Sequence, residues 1–442
     1  MATSFEQFSW RLTNAPGSTE PGYRTDDVFF VNARTGWAVN SEGNIIKTTD
    51  GGDSWTTQAH FDDVYLRAVG FANANTGWVG TLTPTLRLLH TKDGGQSWQS
   101  VNLPAGTPPA IYGISVVDAN TVYASGTNFP DQPTAVIKTT DGGATWTAID
   151  MSAHAAILVD IFFKNANEGW VVGGRDDVGR PTPQRRRDDV KPVVLHTTNG
   201  GATWTDRLVP IRRLCPRGEW GWKIQMLDAQ TLFVSLENML DGAILRSDNG
   251  GLAWRRIPIN DRQRNANLEG IGFVDGNRGW IGGWGDINFV GGFTSASIDG
   301  GTNWDNANEV GFRLNRFRFI GNPVTVAYAS GDTVYKFTDH PPPSGPPGAM
   351  AAAPTGRLLQ SATAVPLDFR VPTGARHLKI NIWDRFGRHV NVLAEEISPE
   401  AGARTLSWDF RDMSGEALPP GAYIIRISID GQSQSRIAHK TE

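Results

Sequence analysis

Two sets of residues in this 442-residue chain have types and spacings able to do chemistry. The first is a group of charges placed just before similar apolar segments. Asp26 and Asp27 lead into Val28-Phe-Phe30, Asp160 into Ile161-Phe-Phe163, and Glu269 stands two residues before Ile271-Gly-Phe273. Carboxylates brought together at one end of neighbouring elements could divide the acid and base roles of glycoside hydrolysis. Arg67, Lys223 and Arg316 hold comparable positions before Val69-Gly-Phe71, Ile224-Gln-Met226 and Phe317-Arg-Phe319. Mixed charges that simply pair with one another are therefore the plainer reading.

The second set is a run of arginines and aromatics between apolar segments. Residues 174–192 hold Arg175, Arg180, Arg185, Arg186, Arg187 and Lys191; residues 205–222 hold Arg207, Arg212, Arg213, Arg217, Trp220 and Trp222. Residues 255–268 add Arg255, Arg256, Arg262 and Arg264, and residues 284–293 add Trp284, Phe289 and Phe293. Arginine pairs bidentately with carboxylates and phosphates, and arginine and tryptophan dominate interface hot spots. Asp176, Asp177, Asp188 and Asp189 partly neutralise the first run, so solvated loops with internal ion pairs are the bland alternative.

Other chemistry finds no support. The histidines are scattered without zinc spacing, and the one cysteine, Cys215, has no disulfide partner and no motif marking it as a nucleophile. Neither a metal nor a cofactor is expected. With a formal net charge of −4, the total gives no reason to expect nucleic-acid binding.

The elements that carry these residues are set by a repeat. Thr48-Thr-Asp-Gly-Gly-Asp-Ser-Trp55 recurs with small changes at 91–98, 139–146, 197–204, 247–254 and 297–304. Its chemistry is that of a tight turn between strands. The Asp can accept backbone N–H groups ahead of it, Gly52 and its equivalents allow positive φ, and the Trp buries a large ring between layers. No copy offers more than two carboxylates, too few for calcium. Before each copy stand an apolar strand, a polar turn and a Gly-Trp pair ending in Trp37, Trp78, Trp170 or Trp280; Tyr123, Phe233 and Tyr328 replace it elsewhere. His90 and His196 share a repeat position with Lys47 and Lys138 and are expected to be exposed.

Short strands at this spacing predict an all-β chain, and four strands per repeat of about 45 residues make a propeller blade. There are seven inner strands and six boxes. The seventh unit ends after Val334–Phe337 without its outer strand, while Phe8-Ser-Trp10-Arg-Leu resembles the tail of a box. Residues 7–13 are therefore predicted to close blade seven.

The expected domains are a seven-bladed propeller over 1–339, a Pro/Gly/Ala-rich linker over 340–354, and a small Ig-like β-sandwich over 355–442. The linker should be extended and semi-rigid. The last region alternates polar and apolar residues in Leu378–Trp383, Thr405–Trp408 and Ala422–Ile429. No charged-then-apolar leader is visible, and no apolar run is long enough to span a bilayer.

The repeated Gly-Trp…Thr-Thr-Asp-Gly-Gly-x-x-Trp unit and the blade count resemble the photosystem II stability/assembly factor family of Asp-box propellers, over about residues 5–339. That resemblance implies a non-catalytic role: binding pigment–protein subunits at a membrane and stabilising or helping to assemble their complex. Ile382-Trp-Asp-Arg-Phe-Gly-Arg388, Trp408-Asp-Phe-Arg-Asp-Met-Ser-Gly415 and Leu418-Pro-Pro-Gly-Ala-Tyr423 resemble the immunoglobulin-like domain of flagellar hook-capping proteins and of secretion sorting domains. It implies an assembly module, with a sorting tag as the alternative.

In a propeller, the connections from the second to the third strand and from the fourth strand to the next blade emerge on one face; the boxes occupy the other. The arginine-rich insertions fall in the first class, in neighbouring blades four to six. They are expected to form one Arg/Trp patch that docks on an acidic protein surface or anionic lipid headgroups. The protein is expected to be a membrane-peripheral scaffold, on the cytoplasmic side given the absent leader, or periplasmic or secreted if a leader has been removed. Two alternatives remain: an exported glycan-binding or glycan-hydrolysing propeller using Asp27, Arg67, Asp160, Glu269 and Arg316 at the channel mouth, and a part of a phage-like or appendage assembly.

Overall fold

The computed structural model describes residues 5, 7–17, 23–181, 184–238, 240–261, 265–285, 294–306, 309–339, 359–384, 389–429 and 432–441. Contacts divide the chain into two compact units, with the boundary between Gly348 and Ala349, inside the predicted linker, and with Ser18–Tyr23 grouped with the second. The linker itself, 340–354, lies outside the described residues.

The first unit is a seven-bladed β-propeller: seven antiparallel sheets of four strands, six of them running from the axis outward in chain order. The inner strands are Thr25–Phe30, Leu66–Phe71, Ala110–Val116, Ile157–Phe163, Glu219–Met226, Leu268–Phe273 and Arg316–Ile320. Blade seven takes its outer strand from the N-terminus: Ser9–Leu12 pairs antiparallel with Val334–Thr338, Trp10 opposite Phe337. Closure is thus non-covalent and covers the edge that blade would otherwise expose. Trp10 packs edge-on against Trp280 and Phe317, with centroids 5.3 and 5.5 Å away.

At four of the seven joints between blades the repeat packs three rings together. Trp37 of blade one stacks on Phe71 of blade two at 3.6 Å, and the box Trp98 of blade two meets the same Phe71 edge-on at 6.0 Å. Tyr123 with Phe163 and Trp204 repeats the arrangement, and Tyr328 with Phe30 and Trp55 carries it across the closure from blade seven to blade one. The glycine before the aromatic is required by this packing. A Cβ on Gly36, Gly77, Gly169 or Gly279 would fall 2.4–2.6 Å from the phenyl ring of its own blade, closer than any side-chain atom can sit.

The boxes are self-contained turns. Thr48 Oγ1 donates to Asp50 Oδ1 at 2.8 Å and accepts the Gly52 N–H at 2.9 Å; the Ser54 N–H donates to Asp50 Oδ1 at 2.9 Å. Both box glycines have positive φ, Gly51 at 78° and Gly52 at 90°. Asn199 keeps the same bonds in its copy. The residue before the box also has a role, and the expectation of exposure there is corrected. Lys47 Nζ donates to Gly94 O in the next blade's box at 2.9 Å. His90 and His196 instead stack on Trp78 and Trp170, each at 4.7 Å, and His196 is buried. The reason is that this strand position faces the aromatic of the preceding strand, not solvent.

The second unit has a five-stranded sheet, in which His377–Asp384 lies between its antiparallel neighbours His389–Ile397 and Gly421–Ile429, and a two-stranded sheet, Val365–Val371 with Gly402–Trp408. Both sheets feed one apolar core around Leu367, Phe369, Ile380, Trp408 and Ile425. We find no helix among the described residues long and apolar enough to cross a membrane.

Candidate functional site

The axial charges are not at an open mouth. Asp27, Arg67, Asp160, Glu269 and Arg316 are all at most 6 % exposed. They form two buried networks. In one, Asp26 accepts from the Arg24 Nε–H at 3.0 Å and pairs with Arg67, while Arg24 also pairs with Glu269. Rings close over it: Arg24 lies 4.6 Å from the Trp284 centroid, Arg67 5.0 Å from that of Trp222, and the Trp284 indole N–H donates to Glu269 at 3.1 Å. In the other, Arg316 donates to both oxygens of Asp160 at 2.7 and 2.8 Å and to Asp27 at 3.1 Å. Burial would raise the Asp160 carboxyl, but the Arg316 guanidinium and then Lys223 bring it down to about 2.

This corrects the expectation of channel-mouth acid and base groups. The reason lies in the backbone. Inner strands carry a bulge at equivalent places, between Thr25 and Asp27, Leu66 and Ala68, Leu158 and Asp160, and Leu268 and Gly270. A bulge re-aims the side chains beside it. Here Asp27 also accepts the Val28 and Val69 N–H groups, and Asp160 that of Ile224, so the carboxylates tie neighbouring blades together.

The tryptophans of the expected docking patch are likewise corrected. Trp220, Trp222 and Trp284 are 1, 0 and 7 % exposed. Trp222 donates its N–H to Asn315 at 2.9 Å across the channel, so these rings belong to the core, not to a contact surface. Arg255 also moves. Residues 255–258 form the outer strand of blade five, Arg255 sits at its box end, and it pairs with Asp248 at 3.2 Å. Arg256 is half-buried on Glu219, 2.7 Å away. Arg262 and Arg264, with Phe289 and Phe293, lie outside the described residues.

What remains is a compact surface made by two adjoining connections. The Arg217 Nε lies 3.3 Å from Asp177, and the Gly218 N–H donates to Val190 O at 2.8 Å, which joins segment 177–189 to segment 207–218. Arg186, Arg213 and Arg217 are exposed there, while Arg175, Arg180, Arg185, Arg187 and Arg212 are half-buried. Arg180 pairs with Asp189 and Arg212 with Asp206. Arg187 lies over the Trp220 ring at 5.7 Å. Three apolar residues that the sequence reading passed over stand in the same segments: Val178 at 41 %, Val209 at 62 % and Leu214 at 57 % exposure. The signal was present in Ile211-Arg-Arg-Leu214, a short 3₁₀ turn that cannot bury both its arginines and its leucine.

No group of three or more His, Cys, Asp or Glu side chains able to hold a metal occurs among the described residues. Cys215 is buried, and burial first, then Glu219, pushes its thiol up to about 11, which suits a packed thiol.

The family model described as "Photosynthesis system II assembly factor YCF48" matches residues 6–156. The chain is 25 % identical over 296 residues to "Photosystem II assembly lipoprotein Ycf48" of Synechococcus sp. (strain CC9902), an alignment covering 58 % of this chain and 84 % of that protein. Among solved structures, "YCF48 bound to D1 peptide" aligns with a TM-score of 0.53 at 17 % identity, over 76 % of this chain and 98 % of that one. YCF48 from Cyanidioschyzon merolae aligns with a TM-score of 0.51 at 18 % identity, over 75 % and 98 %. At these identities the solved structures speak for the propeller fold.

Proposed function

We propose that this chain is a non-catalytic assembly or stability factor for a photosystem II-like membrane complex, docking from the membrane surface through the exposed arginines of segments 177–189 and 207–218. The observation that carries the assembly role is the similarity to the Synechococcus assembly lipoprotein across most of that protein's length. Support for the docking face comes from Arg186, Arg213 and Arg217 standing exposed beside Val178, Val209 and Leu214. Cationic groups around an apolar patch suit an acidic protein surface with an apolar centre. A partner subunit of that kind, the D1 protein included, fits this chemistry, and anionic lipid headgroups at the rim would add to it. The C-terminal unit supplies a second contact in this reading.

The hydrolytic alternative loses its motivation, because its carboxylates are engaged in buried ion pairs. The role is tested by purifying the protein from photosynthetic membranes in mild detergent at low salt, followed by mass spectrometry. Co-migration with photosystem II reaction-centre subunits, lost as salt rises, is expected. Recovery solely as a free protein at low salt would contradict the proposal.

A further inference from the structure

A cavity of about 770 Å³ lies at the axial end of the channel on the box side, opposite the arginine-rich connections. That volume is in the range of small-molecule sites. Blades five, six and seven line it, with Phe162 and Phe5 at the sides. Its walls are aromatic and soft: Met226, Phe273, Phe317 and Phe319. Its charged lining is Lys223, Arg316, Arg318, Asp228 and Asp275.

These charges are not equally available. Arg316 has its donors on Asp160 and Asp27. Asp228 and Asp275 accept the backbone N–H groups of their own turns, from Gln230 and Thr231 and from Asn277 and Arg278. Arg318 donates its Nε–H to Val28 O at 3.1 Å and stands a long 3.9 Å from Asp27, with its side chain 27 % exposed. Lys223 differs from all of these. Its residue is 1 % exposed, and its Nζ makes no hydrogen bond among the described residues. A buried amine without an acceptor is costly, and nothing in the blade packing needs it: the Lys223 backbone N–H is already held by Ser235.

From this geometry we infer that the cavity is a binding site for a small aromatic carboxylate, whose ring packs among Met226, Phe273, Phe317 and Phe319 and whose carboxylate accepts from Lys223 Nζ and the Arg318 guanidinium. Methionine and phenylalanine walls accommodate a flat ring. Burial first, then Arg316 and Arg67, hold the Lys223 ammonium down to about 7 against the opposing pull of Asp160 and Asp27. A bound carboxylate favours the charged ammonium, so binding takes up a proton near neutral pH and weakens as pH rises.

The test is calorimetric titration of the full chain with 3-phenylpropanoate, in buffers of different ionisation enthalpy. Expected are saturable binding at pH 6, proton uptake at pH 7.5, and an affinity about thirtyfold weaker at pH 8.5 than at pH 6. Lys223→Met should lose the binding and the pH dependence together while keeping or raising the melting temperature. Met226→Trp, which fills the cavity and leaves the charges in place, should also abolish binding. No binding at millimolar ligand, equal binding of the neutral 3-phenylpropanamide, or unchanged affinity in Lys223→Met would each overturn the inference.

Discussion

Arg316 gives all its directional bonding to two carboxylates that have no access to water. Truncating it would leave Asp27 and Asp160 buried and uncompensated. Removing one partner of a buried pair typically costs about 3–5 kcal/mol, so Arg316→Leu should lower unfolding stability by about that much in a urea titration. The pH dependence has a definite sign. Asp160 is held at about 2, below its ordinary 3.8, so its contribution is complete above 3.8 and is lost as pH falls through 2. Lys223 is the reverse case. A base depressed from 10.5 to about 7 penalises the folded state below 7, and the penalty fades as pH rises toward 10.5. Lys223→Met should therefore raise the melting temperature more at pH 6 than at pH 9; an equal gain at both would contradict the assignment. Which residues take part was legible from their shared repeat position. Their burial was not, because a one-residue bulge in an inner strand leaves no mark in an apolar pattern.

At the scale of the element, the repeat was readable because turn chemistry is local. Thr48, Asp50 and Gly52 bond within a few residues of one another, so their types had to recur. The N-terminal strand was readable for a related reason: the seventh unit lacked an outer strand, and the first residues looked like one. Contacts between blades were less visible. Tyr328 Oη donates to Ala33 O at 3.0 Å and lies 3.1 Å from Gly51 O across the closure, and nothing near Tyr328 in sequence announces this. Tyr328→Phe should destabilise by about 1–3 kcal/mol by leaving those carbonyls short of a donor, measured by chemical denaturation. Gly77→Ala should cost about 1–3 kcal/mol through overpacking, since its Cβ would sit 2.4 Å from the Phe71 ring. A neutral result at Gly77 would mean the three-ring joint is looser than described. Deleting residues 1–13 should expose the Val334–Thr338 edge with Phe317 and Phe337 and yield an aggregating protein, seen by light scattering.

For the whole molecule, the propeller distributes its work between two faces. The box face is tied turn to turn, while the opposite face carries the long connections of blade four and the join to blade five. The sequence located those insertions correctly as the place of variation. It misjudged their tryptophans, because an indole beside a glycine-rich inner strand finds more burial in the channel than on the surface. It also passed over Leu214 and Val209, since an isolated exposed leucine has no periodic signature. The central claim is that this surface docks a membrane complex by charge. The most direct measurement compares wild type with the triple variant Arg186→Glu, Arg213→Glu, Arg217→Glu for binding to isolated photosystem II assembly intermediates, at low and at physiological salt. The account predicts at least a tenfold loss of affinity at low salt, a flatter salt dependence and an unchanged melting temperature. Wild-type affinity in the folded triple variant would contradict it.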